Sequence, residues 1–179
     1  LILNIFVVIA ILHSKMMRTH SPVYIFSFAT IVNDLLMIAL HLLYFAPSSF
    51  LQDFLFPASF VDAGRAILDT LLMVAWYHGT LSHIVIAINR FIIVVFDQFS
   101  MFTRGRVVGI AIAQVIASVF LAVMTQFMFP CCRLTLTYSL FTYTYLEIPG
   151  VSNYSNMFDL PLNTAASLTP LVAYTTVRV

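Results

Sequence analysis

Apolar positions fall along this chain in five long runs separated by short polar breaks: Leu1 to Leu12, Val23 to Phe45, Ala66 to Phe96, Val107 to Phe129 and Leu160 to Val177. At ~1.5 Å per residue, about 20 helical residues cross the ~30 Å hydrocarbon core of a bilayer. Only helices and closed barrels satisfy their own backbone in lipid. Barrel strands alternate apolar with polar positions, and these runs do not, so each predicts a helix. The expected fold is all-α: one polytopic transmembrane bundle over residues 1–179, with spans at 1–12, 23–45, 66–96, 107–129 and 160–177. The third run has 31 residues and must tilt or project into water. The first has only 12, and the chain opens on it without Met or signal peptide. That predicts a fragment with a truncated first span.

The polar breaks set the orientation. Lys15 and Arg18 lie between the first two runs, Arg104 and Arg106 between the third and fourth. Short basic loops stay cytoplasmic, which places the N-terminus outside. The stretch from Ala46 to Arg65 carries Asp53 and Asp62, as expected of an outer loop. The same side receives the glycosylation acceptor Asn153-Tyr154-Ser155 and the adjacent Cys131 and Cys132. Two neighbouring cysteines would close only a strained ring with each other, which leaves open a partner in the missing parts. Between Leu134 and Tyr145, Leu, Thr, Tyr and Phe alternate. This reads as a strand or hairpin, the other reading being an irregular aromatic loop on the headgroups.

Composition excludes several classes of function. Residues are 61% hydrophobic and 8% charged, so lipid is the solvent. The net charge of +1 and the lack of a basic run exclude nucleic acid as a partner. No serine elbow, paired carboxylate or phosphate-cradling glycine loop suggests an enzyme or a cofactor. His78 and His83 are five apart and do not share a helix face as metal ligands would.

Polar side chains inside spans face the bundle interior and mark function by default. Asp69, Met73, Trp76, Thr80, His83, Ala87 and Arg90 are spaced 4, 3, 4, 3, 4, 3, which puts them on one helix face. Asn4, Asp34 and His83 are the intramembrane polar candidates. Ser27, Thr30 and Thr80 read better as polar contacts between helices. Helical rise places Asp69 ~31 Å outward of Arg90 and His41 ~28 Å outward of Pro22. His41, Asp69, Met73 and Trp76 are therefore the candidate lining of a pocket for a small-molecule ligand, with the aromatic loop able to close over it. For Asp69 the competing reading is an ion pair with Arg65.

The segment Ser82-His83-Ile84-Val85-Ile86-Ala87-Ile88-Asn89-Arg90-Phe91 resembles the inner end of helix three in seven-helix G-protein-coupled receptors, most closely the nematode serpentine receptor class x (Srx) chemoreceptors. Asn4 and the pair Pro22 and Asp34 match helices one and two in order. The resemblance implies a chemosensory receptor in the plasma membrane that carries an outside cue to a heterotrimeric G protein. Asn89, Arg90 and Phe91 would be the coupling motif, and helices six and seven would follow residue 179. Where the resemblance puts a helix-three cysteine, this chain has Arg65. Gly79 stands for a serine and Leu72 for the carboxylate of amine receptors, while Asp97 and Ser100 replace a Pro and a Tyr. The alternative is a transporter or channel, against which stand the missing inverted repeat and paired broken helices. A ligand-free membrane scaffold is the third reading.

Overall fold

The structure, a computed structural model, describes residues 2–13, 23–57, 60–96, 102–140, 142–146, 149–150 and 158–177. Lys15, Arg18, Pro22, Asp97, Ser100 and the sequon at Asn153 lie outside the described residues. Six helices and one hairpin make up the described chain: α1 (Ile2–His13), α2 (Val23–Leu40), α3 (Ala46–Leu51), α4 (Val61–Phe96), α5 (Arg104–Val123), β1 (Leu134–Thr137), β2 (Thr142–Tyr145) and α6 (Asp159–Val177). Among the described residues, three helical stretches are long and apolar enough to cross a membrane: Tyr24–Leu51, Val61–Phe96 and Arg104–Met128.

The central element is α4, against which α2, α5 and α6 all pack, while α1 lies on α2. The distribution of side chains is that of a protein in lipid. Gly64, Ala75, Ser82 and Ala87 of α4 are buried, as are Ser118 and Ala122 of α5. Ile116, Phe120 and Phe127 face outward. Lipid gives helices no hydrophobic reason to associate, so small residues that let backbones approach hold the interface. Gly79 shows the close fit directly. A Cβ there would sit 3.3 Å from Asn33 Nδ2, the group that donates 3.0 Å to the Ala75 carbonyl and ties α2 to α4.

The hydroxyl groups of α6 are satisfied within the helix. Thr164 donates to Leu160 O at 2.7 Å, Ser167 to Asn163 O at 2.9 Å and Thr169 to Ala165 O at 2.7 Å. This back-bonding lets a Ser/Thr-rich helix sit in an apolar medium.

The helix expected to stop at Phe45 runs on to Leu51. Pro47 has no N–H to give and its ring crowds the carbonyl one turn back. A π-helical turn at His41–Phe45 absorbs that conflict, with the Ala46 amide donating to His41 O. Pro47 then sits in the first turn of α3, where the missing N–H costs nothing. Gln52 ends the helix at φ 54°, its amide donating to Ser48 O. The loop that follows is correspondingly shorter, because α4 starts at Val61 rather than Ala66.

A second π-helical turn, Met124–Met128, closes α5 ahead of Pro130. The turn Pro130–Cys132 leads into β1, and Cys131 and Cys132 are joined to each other. The tight turn holds the two neighbouring side chains together.

The alternating segment is a hairpin, with Leu134 opposite Tyr145 and Leu136 opposite Tyr143. Period-two geometry puts Leu134, Leu136, Tyr143 and Tyr145 on one face and four threonines on the other. A 3-10 turn, Tyr138–Leu140, follows β1 without the Asn-Gly signal that marks two-residue turns.

Candidate functional site

Beneath the hairpin, on the half of α4 nearer the hairpin, lies a partly open cavity of about 190 Å³. His41 lines it from the π-turn that follows α2, and Leu72, Met73 and Trp76 line it from α4. The apolar hairpin face supplies Leu134, Tyr143 and Tyr145, and α6 supplies Asp159. The cavity exists because neighbouring elements present apolar positions there: i, i+1, i+4 on α4 and i, i+2 on β2.

Its walls are held by side-chain hydrogen bonds. The Trp76 indole N–H donates to Asp159 Oδ1 at 2.9 Å and the Tyr145 hydroxyl to Oδ2 at 3.1 Å. Asn163 Nδ2 adds a third bond, 3.0 Å to Oδ1. One carboxylate thus ties α4, the hairpin and α6. His41 Nδ1 lies 2.7 Å from the Met37 carbonyl. Tyr143 stacks on Phe45 with ring centroids 5.3 Å apart and meets His41 edge-on at 6.3 Å. Burial pushes the Tyr143 phenol well above its ordinary value, with Asp69 and Tyr44 adding to the shift, so it stays protonated across the physiological range.

The structure brings together His41, Met73 and Trp76 of the sequence-derived lining and leaves Asp69 outside it. Asp69 is 4% exposed and lies behind the cavity, on the threonine side of the hairpin. Thr135 donates to Asp69 Oδ2 at 3.0 Å and accepts from Arg65 Nε at 2.7 Å. Arg65 Nε is itself 3.8 Å from the carboxylate, and the guanidinium lies 5.0 Å over the Phe54 ring. The geometry is the Arg65 ion pair, built into a buried clamp. The reason is that Asp69 falls one turn hairpin-ward of Met73, level with β1 rather than with the space below it.

Asp34 and His83 meet in a second, more polar cleft of about 520 Å³ between α2, α4 and α6, together with Asn33, Gly79 and Thr80. Met37 and Trp76 line both spaces and form the partition between them. Asn4, half-buried on α1, lines neither. At the far end of α4 the coupling triplet divides: Asn89 is 1% exposed, Arg90 is exposed, and Phe91 lines a cleft of about 290 Å³ against Leu168 and Val172 of α6.

Sequence reasoning missed Asp159 and Leu72. An acidic residue in a first helical turn is ordinary, since the helix dipole favours it, and nothing in sequence links Asp159 to Trp76, 83 residues earlier. Leu72 follows from the α4 periodicity one position beside the stripe.

No curated protein and no solved structure matches the chain. The model of one family, the serpentine type 7TM GPCR chemoreceptor Srx, matches residues 1–176. That is a chemoreceptor family rather than a class of enzyme, transporter or channel. A bundle of long apolar helices around a small outlying cavity, with a family match along nearly its whole length, establishes that this chain belongs to the Srx family of seven-transmembrane G-protein-coupled chemoreceptors.

Proposed function

We propose that the receptor sits in the plasma membrane with its N-terminus and hairpin outside, binds a small molecule in the cavity under the hairpin, and passes the signal to a heterotrimeric G protein at the opposite end of α4. The observation that carries this reading is the placement of an apolar, ring-lined cavity at one end of α4 and of Arg90 at the other. Small-molecule sites have this balance of apolar wall and few polar groups. The four basic residues of the short loops support the sidedness, and Asn153 would be the glycosylated residue on the same side as the hairpin. Asn89, Arg90 and Phe91 form the coupling motif, with exposed Arg90 meeting the G protein and Asn89 buried beside it.

The test uses a full-length receptor with an epitope tag inserted after exposed Asp53. Antibody on intact cells should detect the tag equally in the parent and in Arg90→Ala, while G-protein activation is lost in the variant. A tag seen only after permeabilisation would overturn the sidedness. Unchanged activation in Arg90→Ala would overturn the coupling role.

A further inference from the structure

The dimensions and polar atoms of the cavity narrow the ligand further, an inference that rests on the cavity being the ligand site. Pockets for drug-sized molecules hold roughly 300–1,000 Å³, whereas an engineered apolar cavity of about 150 Å³ takes up benzene. At about 190 Å³ this cavity accommodates one six-membered ring with a small substituent. It does not extend into the polar cleft, because Trp76 stands between the two and its indole is fixed by Asp159.

The polar atoms differ in what they can still do. Asp159 already accepts from three donors. The hydroxyl of Tyr145 and the N–H of Trp76 are spent on that carboxylate. His41 is different. A backbone carbonyl only accepts, so the 2.7 Å contact to Met37 O assigns the ring proton to Nδ1. With the proton placed on Nδ1, Nε2 on the far side of the ring is left as the acceptor. Among the described residues nothing donates to it.

We propose that the ligand is a single-ring, apolar molecule bearing one O–H or N–H donor, phenol-like in size and chemistry, and that His41 Nε2 accepts that donor. His41 is thus the specificity-determining residue, and the Leu72–Met73 wall with Tyr143 sets the size limit.

Phenol, toluene and 1-naphthol are the probes, and binding is read on the full-length receptor in membranes as ligand-dependent thermal protection, independently of any G protein. Phenol should bind roughly tenfold more tightly than toluene, the difference expected for one neutral hydrogen bond in a dry site, and 1-naphthol should not bind. His41→Phe should erase the preference for phenol over toluene, His41→Gln should keep it by supplying another acceptor, and Tyr143→Phe should leave it unchanged. Equal binding of phenol and toluene, tight binding of 1-naphthol, or no binding of any probe overturns the inference. So does loss of the preference in Tyr143→Phe instead of His41→Phe. Should His41→Phe fail to fold, the size series and His41→Gln decide. G-protein activation is measured separately. Protection by phenol without activation leaves the ligand class standing and sinks the signalling reading, whereas activation by large or donor-free compounds does the reverse.

Discussion

The two faces of the hairpin do different work with similar chemistry. On the threonine face, Thr135 bridges Arg65 and buried Asp69. On the aromatic face, Tyr145 and Trp76 converge on Asp159. Each face uses one carboxylate, and Asp159 on the second lines the cavity. The contrast separates anchoring from the shaping of a cavity. A carboxylate closed in by a hydroxyl and a guanidinium holds two elements together, whereas one reached only by groups that also wall a cavity sets the shape of that cavity. Arg65 also stands where the resemblance to seven-helix receptors puts a cysteine, and here the hairpin is held to the same helix by hydrogen bonds through Thr135.

Breaking the anchoring side should have the larger effect on stability. Asp69→Ala leaves the Thr135 hydroxyl and Arg65 without their acceptor, at a cost of about 1–3 kcal/mol. The value belongs at the lower end, because the Arg65 side chain is 30% exposed and its charge is partly solvated. Thermal midpoint and surface abundance should fall, while the protein that does reach the surface keeps its ligand dose response. A shifted dose response with unchanged stability would return Asp69 to the ligand site.

Trp76→Phe should do the opposite. It keeps a ring but removes the indole donor to Asp159, a smaller loss of stability because Tyr145 and Asn163 still donate to that carboxylate. The partition between the two cavities becomes smaller and unpinned, so the size limit should relax and bicyclic ligands gain affinity relative to single rings. Competition binding with a ring-size series measures this. An unchanged size profile would mean that Trp76 packs without shaping the site.

Much of this arrangement was legible in sequence where a short period governs it. The Leu-Thr-Leu-Thr and Thr-Tyr-Thr-Tyr alternation fixes which hairpin residues share a face. The 4, 3 spacing puts Met73 and Trp76 on one stripe of α4. What escaped has no period. Pro47 reads as a breaker, yet the π-turn before it lets the helix continue, and such a turn leaves no mark in hydrophobic patterning. Asp69 lies on the same stripe as Met73, and only the height of β1 against α4 decides that it meets Thr135 and not the cavity. Asp159 joins the site through contacts 14 and 83 residues away in sequence. Tertiary placement of that kind is invisible to a window of one helix.

Filling the cavity tests the account at its centre. Leu72 is 5% exposed, lines the cavity and makes no side-chain hydrogen bond, so Leu72→Trp occupies the space without touching the Asp69 clamp or the Asp159 node. In a full-length receptor with a known activating compound, the variant should reach the cell surface with its coupling machinery intact and lose its response to that compound by at least about a hundredfold in potency, the scale of about 3 kcal/mol. A parental dose response in the filled variant would contradict the claim that the cue binds beneath the hairpin.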